Sequence, residues 1–170
     1  YLTCEENFNG YFANSGSIPA DQRRYGISAS GFGYRWHEHD TRFDAARNPN
    51  EPNRFGWVVE VDPFDPNSVP VKRSALGRIK HEGAFVTIGQ DGRVVVYMGD
   101  DERFEYIYKF VSRNPYNPAP NSRFSNFNLL DEGTLYAAKF NDDGSGEWLP
   151  LVHGLNGLTA ENGFADQGEV

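Results

Sequence analysis

The chain has almost no sulfur: Cys4 is its one cysteine and Met98 its one methionine among 170 residues. A single thiol excludes an internal disulfide, so noncovalent packing must hold the fold together. Long apolar runs are missing too, and no stretch approaches the roughly 20 residues that a membrane-spanning helix requires. The start has no basic, apolar, small-residue leader. Positive charge is scarce, with 16 Lys and Arg against 24 Asp and Glu and a formal net charge of -8. Those cations are scattered, which excludes a nucleic-acid surface, since phosphate backbones are bound by clustered Lys and Arg.

Helical periodicity is the remaining absence, and what replaces it is strand pattern and turn chemistry. The hydrophobic content of 38% and the aromatic content of 15% suffice for one core, so residues 1–170 are expected to lie in a single domain. Tyr1 to Asn7 and Phe32 to Trp36 read as strands, separated by an irregular connection from Gly10 to Phe32. Phe55 to Asp62 is a β-branched and aromatic strand closed by Asp62-Pro63-Phe64-Asp65-Pro66-Asn67, and Val69 to Leu76 is its returning partner. Gly83–Gly89 and Arg93–Met98 flank Gln90-Asp91-Gly92, where Asp-Gly is a strong hairpin signal. Tyr106 to Val111 adds a strand, and Leu135 to Phe140 pairs with Trp148 to Val152 across a turn from Asn141 to Gly146. That turn lacks the alternating carboxylates of an EF-hand, so it is a hairpin tip.

These features define an all-β chain. Val59-Glu60-Val61, Tyr108-Lys109-Phe110 and Ala138-Lys139-Phe140 each place one charge between apolar neighbours, which suggests repeated sheets. Propeller and sandwich are the alternatives, and long irregular loops between hairpins favour propeller blades. Phe85, Val94, Val96, Tyr108 and Leu135 are expected in strands of neighbouring antiparallel sheets, with no helix longer than a few turns. Tyr1-Leu2-Thr3 begins in strand-like residues and Gly168-Glu169-Val170 stops without a terminating turn, as in a piece of a longer protein.

The densest set of candidate ligands is Cys4-Glu5-Glu6-Asn7, a thiol followed by two carboxylates and an amide. A thiolate suits a transition metal, and neighbouring oxygens suit a hard cation such as calcium. The competing account makes Cys4 a small buried hydrophobe and the two glutamates a solvated pair. Glu82 follows Arg78, Lys80 and His81 at the mouth of a strand, and Asp100-Asp101 ends the next one. Consecutive acids repel unless solvent or a cation neutralises them. Arg78 reads as a strand-end salt bridge or as a cation that steers phosphate. His37 and His39 lack a third ligand at zinc spacing and read as part of a polar loop.

Several segments together resemble the PhoX alkaline phosphatases: Thr3-Cys4-Glu5-Glu6-Asn7-Phe8-Asn9-Gly10-Tyr11-Phe12, Pro52 to Pro63, Gly77-Arg78 with His81-Glu82-Gly83-Ala84, Tyr97-Met98-Gly99-Asp100-Asp101, Tyr108 to Val111 and Gly133 to Phe140. The resemblance covers nearly the whole chain. It implies a six-bladed β-propeller, of which this chain supplies part, exported to the periplasm or secreted. It also implies a phosphoric monoester hydrolase that uses ferric iron and calcium, with a metal-bound oxide or hydroxide as nucleophile. Carried over residue by residue, it makes Cys4 the thiolate ligand of iron and Glu82 a carboxylate ligand of the catalytic cluster. Glu5 or Glu6 would supply calcium oxygens and Asp100 or Asp101 a further carboxylate. On a regular strand Glu6 shares the Cys4 face, whereas a bulge or loop favours Glu5. The family's downstream site segment has no counterpart here, so the chain alone is expected to be inactive. A monomer acting on phosphate monoesters is expected. Two other classes are a calcium-dependent lactonase-like propeller enzyme and a propeller that only binds a partner, and Cys4 separates them from a phosphatase.

Overall fold

Eight strands make two antiparallel sheets in the computed structural model, which describes residues 1–170. The first sheet has the order β1-β2-β3, from Leu2–Cys4, Val58–Glu60 and Val71–Lys72. The second is a meander of five consecutive strands: β4 (His81–Ile88), β5 (Arg93–Asp100), β6 (Ile107–Pro115), β7 (Gly133–Phe140) and β8 (Gly146–Pro150). Helix is confined to α1 (Ala20–Arg24), α2 (Arg123–Asn126) and short 3-10 turns. None is long and apolar enough to cross a membrane. The all-β expectation holds, and both sheets are open.

The Asp-Gly hairpin forms as expected. Gly89 N donates to Arg93 O at 2.8 Å, and Gly92 turns the chain with a φ of 79°, which glycine reaches without a Cβ clash. Alternation then sets the core: Val94, Val96 and Met98 of β5 are buried, Val96 pairs with Phe110 and Met98 with Tyr108 of β6, and Leu135 of β7 sits opposite Phe110. Val58 from the first sheet, Leu76 and the turn residues Leu129 and Leu130 complete this cluster, so one core serves both sheets. Burying a side chain the size of Phe110 or Met98 contributes about 1.5–3 kcal/mol each. Phe85, Val94, Val96, Tyr108 and Leu135 are all in strands, yet they share one sheet rather than neighbouring ones.

The amino-terminal third departs most from its strand pattern. Only Leu2–Cys4 of the Tyr1 to Asn7 stretch is strand, because Phe8–Tyr11 winds into a 3-10 turn immediately afterwards. Phe32 to Trp36 forms no strand: Gly33 and Arg35 have φ of 117° and 61°, values that a β-ladder does not accept. The Phe55 strand starts at Val58, since Gly56 has a φ of 93°. Its partner is cut to Val71–Lys72, and Ser74–Leu76 coils into another 3-10 turn.

Arg73 lies between those two segments, fully buried. Its guanidinium donates to Glu60 Oε2 at 2.7 Å, Asp131 Oδ1 at 2.8 Å and the Phe127 carbonyl at 2.7 Å. Two carboxylates and a carbonyl thus satisfy a cation that would be costly to bury alone.

Candidate functional site

Cys4 ends β1 opposite Val58 and packs, half-buried, against the core. Burial pushes its thiol pKa up, and the Glu6 charge adds to the effect. Past Cys4 the ladder continues for one more bond, from Glu5 N to Trp57 O at 3.1 Å, and then the chain turns away. The two glutamates consequently differ in their partners. Glu5 Oε2 accepts from the backbone N–H groups of Gly56 and Trp57, each at 3.1 Å, while Oε1 accepts from Lys72 Nζ at 2.7 Å. Glu6 accepts only from the neighbouring Asn7 side chain at 2.8 Å.

Glu82 owes its position to a bulge. His81 pairs with Asp100 and Gly83 with Gly99, so Glu82 is the extra residue with no opposite number. It is exposed and its carboxylate has no protein partner. His81 beneath it is fully buried, with Nε2 3.0 Å from the Gly77 carbonyl and Nδ1 unpartnered. Burial lowers the His81 pKa, which favours a neutral ring whose N–H donates to that carbonyl.

Asp100 and Asp101 also divide their roles. Asp100 Oδ1 accepts from the Lys80 N–H at 3.3 Å and the Glu102 N–H at 3.1 Å, tying down the turn after β5. Burial raises its pKa despite those bonds. Asp101 uses only its backbone, N–H to Lys80 O at 3.0 Å, and its exposed carboxylate has no partner. Lys80 itself is paired with Glu102.

Strand β1 packs beside β4, bringing the Cys4 and Glu82 strands together. The Glu5 charge is felt at both Arg78 and His81. No three His, Cys, Asp or Glu side chains converge to form a metal centre within this chain. In chemical kind the uncommitted groups fit cations: a soft thiol at Cys4 and hard oxygens on Glu6, Glu82 and Asp101. In number they are incomplete.

Arg78, half-buried, forms no salt bridge. Its guanidinium lies over Tyr25 at 4.2 Å and Phe8 at 5.2 Å and donates to the Phe55 and Pro52 carbonyls at 2.8 and 2.9 Å. Desolvation lowers its pKa. His37 lies in the 3-10 turn Trp36–Glu38 and His39 just after it. The sequence reading overlooked an aromatic cluster around Tyr11 and Trp36. Its signal was the ten aromatic residues between positions 8 and 57.

The family model described as alkaline phosphatase PhoX matches residues 1–170. The chain belongs to the PhoX alkaline phosphatase family. A solved structure, Pseudomonas fluorescens PhoX in complex with vanadate, a transition state analogue, is 55% identical to it with a TM-score of 0.94. That match covers all of this chain and 31% of the other, so the chain spans about a third of the PhoX structure it resembles. Comparison with curated proteins gives no match. For this PhoX-family chain the geometry sorts the candidate donors into two groups. Glu5 and Asp100 hold backbone N–H groups in place, whereas Cys4, Glu6, Glu82 and Asp101 are without such duties.

Proposed function

We propose that this chain forms part of a metal-dependent phosphatase that releases inorganic phosphate from phosphate monoesters. The observation that carries the reading is family membership along the full 170 residues, joined to 55% identity with a PhoX protein bound to a phosphoryl transition-state analogue. The β-propeller is part of the proposal, with the two open sheets described above as a portion of its blades.

Cys4 would hold ferric iron, and Glu82, Asp101 and Glu6 would supply oxygens to iron and calcium. Bound multivalent cations would provide the positive field that a phosphoryl group needs as negative charge spreads over its oxygens, a field that a net-acidic chain lacks. The chain's own contribution is placement. The Glu82 bulge, anchored by the buried His81 ring, sets the direction of one carboxylate. The three-donor grip on Glu5 fixes the exit of the chain from β1, and with it the position of Cys4. Ligands beyond these would come from the rest of a longer protein. The proposal extends to an exported setting, where metal ligation keeps a lone thiol from oxidation.

The test is elemental analysis and aryl phosphate hydrolysis on one preparation of a full-length protein containing this chain, with Cys4→Ser, Glu82→Gln and Asp101→Asn variants. Iron and calcium should copurify, and each variant should lose metal and activity together. Full iron content and turnover in Cys4→Ser would refute the thiolate assignment. Lactone hydrolysis without phosphate release would refute the phosphatase reading.

A further inference from the structure

Arg78 joins the segment that carries Cys4 to the segment that carries Glu82. Its Nε donates to the Phe55 carbonyl at 2.8 Å and its Nη2 to the Pro52 carbonyl at 2.9 Å. Those residues lead into Gly56 and Trp57, whose N–H groups hold the Glu5 carboxylate, and into Val58, which sits opposite Cys4. The guanidinium also lies over the ring of Phe8, fully buried and four residues after Cys4. Both the strand that pairs with Cys4 and the end of the Cys4–Phe8 segment are therefore held by one side chain. In the other direction the backbone of Arg78 runs directly into the Glu82 bulge. The Ile79 N–H donates to the Gly56 carbonyl at 3.2 Å, and the His81 N–H to the Ile79 carbonyl at 3.0 Å. Gly56 is the junction, with a φ of 93° and so little room that a Cβ would lie 2.7 Å from Phe8 Cε1 and 3.3 Å from Arg78 Cγ.

Packing alone does not call for arginine at this position. A guanidinium set between Phe8 and Tyr25 without a paired carboxylate costs desolvation that an apolar side chain of similar length avoids. Arg73 is the contrast, since two carboxylates neutralise it. What the guanidinium adds is a rigid planar fork, whose two N–H bonds fix the angle between the ring stack and the Pro52–Phe55 turn. The Tyr25 hydroxyl locks the same residue from behind, donating to the Arg78 carbonyl at 3.0 Å. Every one of these partners belongs to this chain, and β1 packs beside β4 where they meet.

We infer that Arg78 is a positioning residue that sets the Cys4 segment against the Glu82 segment. Its catalytic consequence rests on the metal-dependent phosphatase reading, in which Cys4 and Glu82 serve one cluster. Groups behind metal ligands act in this way, by orienting donors that they do not replace. The alignment itself is also readable without metal, in the reactivity of the Cys4 thiol.

The experiment compares wild type, Arg78→Lys, Arg78→Met and Gly133→Ala in a full-length protein containing this chain. Gly133→Ala controls for general destabilisation, because Gly133 lies at the Ile88 end of the meander, away from Glu82. Arg78→Met should weaken iron binding roughly 10- to 100-fold in competition with a chelator and lower kcat for p-nitrophenyl phosphate. In the folded, metal-stripped protein it should also speed modification of Cys4 by a thiol reagent, located by mass spectrometry. Arg78→Lys keeps a cation over the rings but loses the fork, and should fall between the two. It decides the question where Arg78→Met does not fold: wild-type iron affinity and thiol reactivity in Arg78→Lys overturn the inference. Gly133→Ala should keep both at wild-type values, and changes as large as those of Arg78→Met would mark Arg78 as structural and overturn the inference. Faster Cys4 modification in Arg78→Met of a protein that hydrolyses no phosphate ester supports the positioning role and overturns the phosphatase reading alone.

Discussion

The Glu5 carboxylate lies 2.7 Å from the Lys72 ammonium, across the three-stranded sheet, and its second oxygen takes two backbone N–H bonds from Gly56 and Trp57. Its neighbour Glu6 has one bond, to the adjacent Asn7. Two identical side chains in sequence therefore have different work, one bracing the fold and one holding no backbone group.

Glu5→Ala should destabilise the protein by about 1–3 kcal/mol, because two partly buried N–H groups lose their acceptor. Glu6→Ala should stay within about 0.5 kcal/mol, as for a surface position without such ties. Urea unfolding of both variants checks the contrast, and equal losses would contradict it.

A parallel split is expected at the end of β5. Asp100→Ala removes the acceptor of the Lys80 and Glu102 N–H groups and should lower the unfolding midpoint. Asp101→Ala should leave the midpoint nearly unchanged and reduce bound calcium or iron in the full-length protein. Thermal melts beside elemental analysis separate the two, and metal loss confined to Asp100→Ala would reverse the assignment.

His81 should make stability depend on pH. Its pKa is depressed by burial, whereas the unfolded imidazole titrates near about 6.5. Between the folded and unfolded pKa the unfolded state holds more protons, so stability is full above about 6.5 and is lost as pH falls below it. Asp100 has the opposite sign, since its raised pKa makes the fold take up protons as acid is added, in a lower window. Denaturant midpoints at pH 7.5 and 5.5 should differ less in His81→Gln than in the wild type; an unchanged difference would exclude His81 as the source.

Gly133 permits a close approach that no other residue allows. A Cβ there would lie 2.3 Å from the Val111 carbonyl oxygen and 2.4 Å from Phe110 Cζ, so Gly133→Ala should cost about 1–3 kcal/mol or more through forced repacking. Gly83→Ala meets nothing within 4 Å and serves as the control, expected within about 0.5 kcal/mol of wild type.

Residues 81–150 were legible because alternation and turn chemistry agree there: Val94, Val96 and Met98 alternate inward, and Asp91-Gly92 closes the hairpin. Residues 8–57 were not, because their packing depends on rings meeting across long separations, as Phe12 meets Phe43 and Phe55. Cys4 and Glu82 stood out by residue type and family likeness. Which of Glu5 and Glu6 braces the backbone depended on partners as far as Lys72, 67 residues away, and which of Asp100 and Asp101 does so on a side-chain bond within a turn. Neither leaves a periodic trace in sequence. Arg78 misled for a related reason: a charged residue at a strand mouth gives no sign that two rings will enclose it.

The three partners of Arg73 also tie distant parts of the chain into one unit. Glu60 precedes it by 13 residues, but Phe127 and Asp131 follow it by 54 and 58. A chain cut before Phe127 would leave this buried guanidinium with one of its three partners, so the three-stranded sheet depends on residues that come after β6 in the meander.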